Sequence, residues 1–375
     1  EIVCKVKVGL DGQEKSVLAN STSLFKYINK LRKENNVEPA EEDEEIPSEY
    51  YKTIDNNKFI HYYMVKGQID RMIVLINEEN ISHLRHSEIW YMDGTFKSCP
   101  FDFYQVYIIH ASIYGKTYSL LYALLDRKTK NQYVKLFEYV RTLVEPKNIK
   151  RIVMDFEKAA LEAAEEVFKG VIVEGCYFHW TQMVLRNLKV HGCFKLYKSS
   201  GDFRDLFKML LSLPFLPLES VGTDFFLLNA MFNMKFSDEG DLNSFLNYFS
   251  NNFLLSNNKK GYSYDIWNVY RRIEIHVPIT NNSAEAFNKS LGDEFVNSHP
   301  SLTLFIQKLR VRDFTYTQEI ELKFSSLVSS SNKLTLSTTS MIKNEKIFEV
   351  LYDEKKYYEL QLLKEISKIY NWFLK

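Results

Sequence analysis

Short apolar runs bounded by turn residues dominate the first half of the chain, and this pattern predicts β-strands. Gly67 and the pair Gly115-Lys116 stand between neighbouring runs and indicate hairpin turns. The predicted strands are FIHYYMVK (59–66), RMIVLIN (71–77), IWYMD (89–93), DFYQVYIIHAS (102–112), TYSLLYALLD (117–126), RIVMD (151–155) and VIVEG (171–175).

Apolar residues at helical spacing alternate with the later strands. The segments NQYVKLFEYVRTLV (131–144) and EKAALEAAEEVF (157–168) predict helices, and shorter helices are expected at 21–35 and near Glu78–Ser87. The resulting order β-β-β-α-β-α-β over residues 89–175 is that of an RNase H-like core. We therefore expect an α/β protein with an RNase H-like mixed sheet flanked by helices.

The second half of the chain shows helical spacing without strand alternation from about residue 177 to 275. Further helices are expected to begin near Ser283 and Thr303, and a charged amphipathic helix is expected at 341–375. This predicts an all-α insertion domain within the core, with a small N-terminal α+β region and a C-terminal helix. The expected regions are 1–84 (N-terminal helix, acidic linker at 37–47 and β-hairpin), 85–190 (first part of the core), 191–277 (α-helical insertion domain), 278–325 (final core helices) and 326–375 (C-terminal helical region).

Charge and cysteine content narrow the class of protein. Lys plus Arg and Asp plus Glu both number 48, and the zero net charge argues against broad, sequence-independent coating of DNA. The four scattered cysteines contain no CxxC pair, which argues against a zinc ribbon or finger and indicates a reducing compartment. The sequence shows neither a signal peptide nor a membrane-spanning apolar run, and because it begins at Glu1 we expect a fragment or a processed chain.

Two aspartates stand at the ends of apolar strands. Asp93 is followed by Gly94-Thr95, and Asp155 is followed by a predicted helix. Carboxylates at the carboxyl ends of neighbouring strands would face one crevice and would suit Mg²⁺. A third carboxylate is then expected on a helix facing that edge, and Glu285 is the candidate. The competing interpretation is that each Asp is an ordinary turn former or helix cap.

Six blocks in order resemble the Mutator-like (MULE-type) DNA transposases of the DDE, RNase H-like superfamily. The resemblance extends over about residues 50–315. The blocks are YMDGTFKSCPFDFYQVYIIH (91–110), MDFEKAALEAAEEVF (154–168), GCYFHWTQ (175–182), LPFLPLESV (213–221), DIWNVY (265–270) and TNNSAEAFNKSL (280–291).

The resemblance implies a function and a set of catalytic residues. It assigns Asp93, Asp155 and Glu285 as a DDE triad that holds two Mg²⁺ (or Mn²⁺) ions in each active site. It implies a nuclear enzyme that cleaves at the terminal inverted repeats of a transposon and joins the ends to target DNA, as a homodimer or larger synaptic complex. The alternatives are a domesticated transposase acting as a DNA-binding transcriptional regulator and an RNase H-like nuclease of other purpose. The zinc-containing N-terminal DNA-binding domain that members usually carry has no counterpart in this sequence.

Cys176 and His179 form a C-x-x-H motif with two interpretations. The resemblance makes them a pair beside the active site, whereas the residues alone also fit a buried cysteine and a hydrogen-bonded histidine. Zinc binding together with His191 and Cys193 is disfavoured by the spacing. If 177–191 is one helix, Cys176 and His191 lie about 22 Å apart at ~1.5 Å per residue.

Basic and aromatic residues near the motifs are candidates for DNA contact. Trp180 and Trp267 either stack on unpaired bases or, as we prefer, pack in the core. With zero net charge, the chain is expected to bind DNA weakly, with steep salt dependence and little preference for the ends of the element. The basic candidates are Lys97, Lys158, Arg186, Lys189, Arg271, Arg272, Lys289, Lys308, Arg310 and Arg312.

Overall fold

A computed structural model describes most of the chain. The described residues are 46–63, 71–237, 240–255, 261–280, 282–295, 299–329, 338–352 and 360–369. The helix predicted at 21–35 and nearly all of the acidic linker predicted at 37–47 lie outside them.

A seven-stranded mixed sheet forms the centre of the protein, in the order β1-β2-β5-β4-β3-β6-β7. Neighbouring strands are antiparallel from β1 through β2, β5 and β4 to β3, whereas β3, β6 and β7 are parallel to one another. The strands are β1 (Ile60–Tyr63), β2 (Met72–Leu75), β3 (Ile89–Thr95), β4 (Gln105–Ile113), β5 (Lys116–Leu125), β6 (Arg151–Met154) and β7 (Ile172–Gly175).

Helices cover both faces of this sheet. One face packs its apolar side chains against α1 (Glu78–His86), α2 (Lys130–Val144) and α3 (Lys158–Val167). The other face packs against α11 (Asn282–Asp293) and α12 (Leu302–Ser329). The strands read as nearly continuous apolar runs because both faces are buried. The predicted α/β class and the order β-β-β-α-β-α-β over 89–175 are confirmed.

Two features of the first strands differ from the sequence interpretation. Strand β2 pairs with β5, so the predicted N-terminal hairpin extends the core sheet and does not form a region of its own. The turn between β4 and β5 is centred on Tyr114 and Gly115, one residue earlier than expected, with φ angles of 47° and 76°. A two-residue hairpin turn with positive φ at both positions matches the twist of the strands, which is why a glycine is found there.

The described residues after β7 and up to residue 280 form helices joined by turns and loops, with no strand among them. These helices share a second hydrophobic cluster, in which Trp180 and Trp267 are fully buried and stack with ring centroids 5.7 Å apart. Both tryptophans therefore pack in the core, as preferred above. The helices are α4 (Tyr177–Val190), α5 (Phe194–Ser199), α6 (Gly201–Ser212), α7 (Leu218–Phe236), α8 (Gly240–Phe249), α9 (Tyr264–Trp267) and α10 (Tyr270–Glu274).

This helical cluster is wider than the insertion expected at 191–277. It includes side chains of α4 and also Ile347, Leu363 and Ile366 from the C-terminal helices α13 (Thr338–Tyr352) and α14 (Leu360–Ile369). Residues 353–359, within the single helix predicted at 341–375, lie outside the described residues. Among the described helices, none is both long and apolar enough to cross a membrane.

Candidate active site

The topology brings several chain segments to one edge of the sheet. Strands β3, β5, β6 and β7 run in the same direction, so their carboxyl ends lie at the same edge. Met92 pairs with Met154 in the parallel register of β3 and β6. Asp93 and Asp155 are the next residues on these neighbouring strands, so the sheet places the two predicted ligands side by side.

Asp93 lies in a nearly closed environment. Its side chain is 5% exposed, Oδ1 accepts a hydrogen bond from the backbone N–H of Gly94 at 2.9 Å, and Oδ2 accepts one from Asn288 Nδ2 at 2.7 Å. Burial raises the pKa of Asp93 to about 6, and the charge of Asp155 raises it further, while His179 and the two hydrogen bonds oppose the rise. The position disfavours a negative charge that no cation accompanies.

One carboxylate oxygen of Asp155, at the same edge, lacks a hydrogen-bond donor among the described residues. This oxygen is Oδ1, which is buried. Burial raises the pKa of Asp155, and the charge of His179, a hydrogen bond from the backbone N–H of Glu157 and the charge of Lys128 partly oppose this. A buried carboxylate oxygen without a partner is costly unless a cation or water satisfies it.

Gly94 permits the close approach of two strands beside Asp93. A Cβ atom at this position would lie 2.9 Å from Oε1 of Gln105 and 3.7 Å from the ring of Tyr107. Gln105 is fixed in place because its Nε2 donates to the hydroxyl of Tyr133 at 2.6 Å. The glycine after Asp93 thus leaves room for a buried polar side chain on the next strand.

The C-x-x-H motif lies beside the two aspartates. The backbone N–H of Cys176 donates to Met154 of β6 at 2.7 Å, which fixes the start of α4 at this edge. Burial lowers the pKa of His179, but its hydrogen bond to Cys176 and the charges of Cys176, Asp93 and Asp155 outweigh burial and raise that pKa to about 10. His179 therefore supplies a positive charge next to two carboxylates.

The other two zinc candidates lie away from this motif. Helix α4 spans Tyr177–Val190, so Cys176 and His191 flank its opposite ends. His191 Nδ1 lies 2.9 Å from the hydroxyl oxygen of Ser244 on α8.

Helix α11 carries the third predicted ligand towards the same edge. Asn288 on this helix bonds Asp93, and Gly292 lies close to Ser98, just past the end of β3. Position 285 precedes Asn288 by three residues, about one helical turn. The backbone of the helix thus passes Asp93 about one turn after position 285, while the side chain of Glu285 lies outside the described residues.

Nine of the ten predicted DNA-contacting cations fall into three groups. Lys97, Arg186, Lys189, Arg271 and Lys289 are exposed. Half-buried Lys158 lies over the ring of Tyr262, and Lys308 is also half-buried. Two arginines of α12 make contacts within the chain: Arg310 donates to the carbonyl of Thr53, and Arg312 pairs with Glu294 at 2.6 Å.

Arg272 is a correction to the sequence analysis. The sequence analysis expects it to contact DNA, but its side chain has no exposed surface. Nη2 donates to the carbonyl of Gly175 at 2.8 Å, Nη1 donates to the carbonyl of Ile279 at 3.4 Å, and Nε lies 3.5 Å from Oε2 of Glu174. The guanidinium therefore joins the end of β7 to the segment that precedes α11 and cannot reach a phosphate.

Sequence reasoning missed several residues at this edge. Asn288 bonds Asp93, and the half-buried Glu157 lies close enough to Asp155 for its pKa to be raised by that charge in addition to burial. Lys128 follows β5, and its charge lowers the pKa of Asp155. The signal that could have indicated Lys128 was the topology of the sheet. Strand β5 is parallel to β3, so the residues that follow β5 lie at the same edge.

The donor set at this edge fits a divalent cation. Asp93 and Asp155 supply hard oxygen ligands, burial disfavours their charges, and one oxygen of Asp155 is unmet. The described residues contain no group of three or more His, Cys, Asp or Glu side chains arranged to hold a metal. The third ligand expected here, the carboxylate of Glu285, lies outside that description.

Comparison with known proteins supports the resemblance noted from the motifs. No curated protein matches the chain. The family model of the MULE transposase domain matches residues 89–183, a stretch that includes Asp93, Asp155, Cys176 and His179 and ends before Glu285. Residues 89–183 of this chain are therefore similar to the MULE transposase domain, which supports a MULE-type transposase.

Proposed function

We propose that this protein is a DDE-type DNA transposase. It would hydrolyse phosphodiester bonds at the terminal inverted repeats of a transposon and join the freed 3′-OH ends to target DNA. The observation that carries the proposal is the placement of Asp93 and Asp155 side by side at the carboxyl edge of β3 and β6, within the matched domain.

The proposed metal ligands are Asp93, Asp155 and Glu285, which would hold two Mg²⁺ or Mn²⁺ ions. Bound there, the ions would activate the attacking oxygen and stabilise the leaving oxygen at phosphorus. The unmet oxygen of Asp155 and the charge-disfavouring burial of both aspartates support this assignment.

The surrounding residues orient and balance the carboxylates. Asn288 donates to Oδ2 of Asp93 and fixes the rotamer of that side chain. A partner of this kind tunes a ligand much as a second layer of hydrogen bonds does at other metal sites. His179 places a positive charge beside both aspartates and offsets their mutual repulsion before the ions bind. Cys176 in turn holds the imidazole by a hydrogen bond.

We propose that DNA contacts the exposed cations near this edge and on the helices that follow β7. Lys97 follows β3, Lys128 follows β5 and Lys289 lies on α11, so phosphates could be held around the carboxylates. We include in the proposal the nuclear location and the homodimer or larger synaptic complex that the resemblance implies.

Strand cleavage tests the proposal. Labelled duplexes that carry the ends of the element would be incubated with the full chain in Mg²⁺, in Mn²⁺ and in EDTA. We expect cleavage only with a divalent ion, and its loss in Asp93→Asn, Asp155→Asn and Glu285→Gln while DNA binding is retained. Glu319→Gln is a matched control, because this carboxylate pairs with Lys116 at the opposite edge of the sheet. Cleavage by the triad variants at the wild-type rate would refute the proposal.

A further inference from the structure

Two aromatic side chains are exposed beside the candidate active site. Phe96 is 44% exposed and Tyr104 is 47% exposed, and their rings meet edge to face with centroids 5.6 Å apart. Phe96 stands three residues after Asp93, and Tyr104 directly precedes Gln105, which packs against Gly94. The pair therefore lies at the edge of the sheet that carries the two aspartates.

A lysine accompanies the two rings. Nζ of Lys128 lies 5.9 Å from the ring centroid of Phe96 and 5.7 Å from that of Tyr104. The charge of Lys128 also lowers the pKa of Asp155, so the cation lies near that carboxylate as well as near the two rings. Lys97, the neighbour of Phe96, is exposed as well. Single exposed aromatics are common on protein surfaces and need no explanation, so what distinguishes this pair is the contact between the two rings together with the nearby cations.

We propose that Phe96 and Tyr104 form a stacking platform for an unpaired base of DNA next to the reacting phosphate, with Lys128 binding the phosphate of that nucleotide. This proposal rests on the proposed function, because it takes the DNA to be held at Asp93 and Asp155. An aromatic face accepts any base, and a nearby cation neutralises the backbone. The platform thus favours DNA whose strands are separated at the cleavage site, without selecting its sequence.

The test compares two labelled substrates bound by the full chain in EDTA. One is a blunt duplex, and the other is the same duplex with a short single-stranded 3′ extension that contains 2-aminopurine. We expect the wild type to prefer the extended substrate and to quench the 2-aminopurine fluorescence. Phe96→Ala and Tyr104→Ala should each weaken binding of the extended substrate by about tenfold and remove quenching, with blunt-duplex binding nearly unchanged.

Control variants separate stacking from other effects. Phe226→Ala removes an aromatic side chain on α7 that is 69% exposed, and this variant should bind both substrates as the wild type does. Tyr104→Phe keeps the ring and should retain the preference. Lys128→Ala should reduce the dependence of log affinity on log salt by about one. Thermal melting of each variant confirms that the fold is kept.

The results distinguish the platform from the proposed function. If the wild type cleaves DNA but Phe96→Ala and Tyr104→Ala bind the extended substrate as tightly as it does, the platform is refuted and the transposase proposal stands. Equal weakening on both substrates would also refute it, because it would show a general backbone contact. If the wild type neither binds nor cleaves either DNA, both proposals fail together.

Discussion

Replacing Arg272 with methionine separates a structural role from a DNA-binding role for this side chain. Methionine keeps the apolar packing of the stem but removes the guanidinium. The substitution would leave the backbone carbonyl of Gly175 without this donor, and that of Ile279 with the backbone N–H of Tyr177 as its remaining donor. It would also leave Glu174 with Arg151 as its remaining ion-pair partner.

The expected loss in the free energy of unfolding follows from these contacts. A hydrogen bond that involves a charged group contributes about 1.5–3 kcal/mol, and removing one partner of a buried ion pair costs about 3–5 kcal/mol. Because Glu174 keeps Arg151, we expect Arg272→Met to lower the free energy of unfolding by about 3 kcal/mol, near the lower end of that range. The double variant Glu174→Gln/Arg272→Met should lose less than the sum of the two single variants, since the two side chains contact each other.

Urea unfolding followed by tryptophan fluorescence measures the effect, because Trp180 and Trp267 are buried in the helical cluster. Arg271→Met is the matched control: this neighbour is exposed, and its replacement should change stability by no more than about 0.5 kcal/mol. The reasoning would be refuted if Arg272→Met unfolded as the wild type does while weakening DNA binding and reducing its salt dependence.

Two further predictions concern polar contacts that reach across the fold. Asn288→Ala should reduce cleavage by about 10- to 100-fold and raise the half-saturating Mg²⁺ concentration, because Asp93 loses its orienting donor; an unchanged metal titration would contradict a positioning role. Asp313 accepts hydrogen bonds from Asn77 and Asn80, which lower its pKa. Burial and the charges of nearby acidic groups outweigh these bonds and raise the pKa to about 6. Its ionisation therefore destabilises the folded state as the pH rises from 4 through 6, by up to about 3 kcal/mol. Asp313→Asn should become progressively more stable relative to the wild type over that range in urea unfolding, and a pH-independent difference would contradict the argument.

Local periodicity was sufficient to predict most strands and helices of the core. The strands from β3 to β7 are buried on both faces, so their apolar runs are conspicuous in the sequence. The pairing of β2 with β5 joins segments about 50 residues apart and leaves no local pattern. The extension of the sheet by the N-terminal hairpin was therefore missed.

The candidate site was only partly predictable for a similar reason. Asp93 and Asp155 were found because each ends an apolar run of the sequence, although β3 continues two residues beyond Asp93. The parallel register of β3 and β6 then brings the two residues together. Asn288 contacts Asp93 across 195 positions of sequence, which no spacing rule detects. Arg272 was misassigned because α10 has only five residues, too few to show which side of the helix is buried.

The most direct test of the central claim is metal rescue at Glu285, the proposed ligand beyond the matched segment. Cleavage by Glu285→Cys and Glu285→Ala would be measured in Mg²⁺ and in Mn²⁺. A thiolate is a poor ligand for Mg²⁺ and a better one for softer ions. We expect both variants to be inactive in Mg²⁺, and Mn²⁺ to restore cleavage to Glu285→Cys alone. Wild-type cleavage by Glu285→Ala in Mg²⁺ would contradict the account.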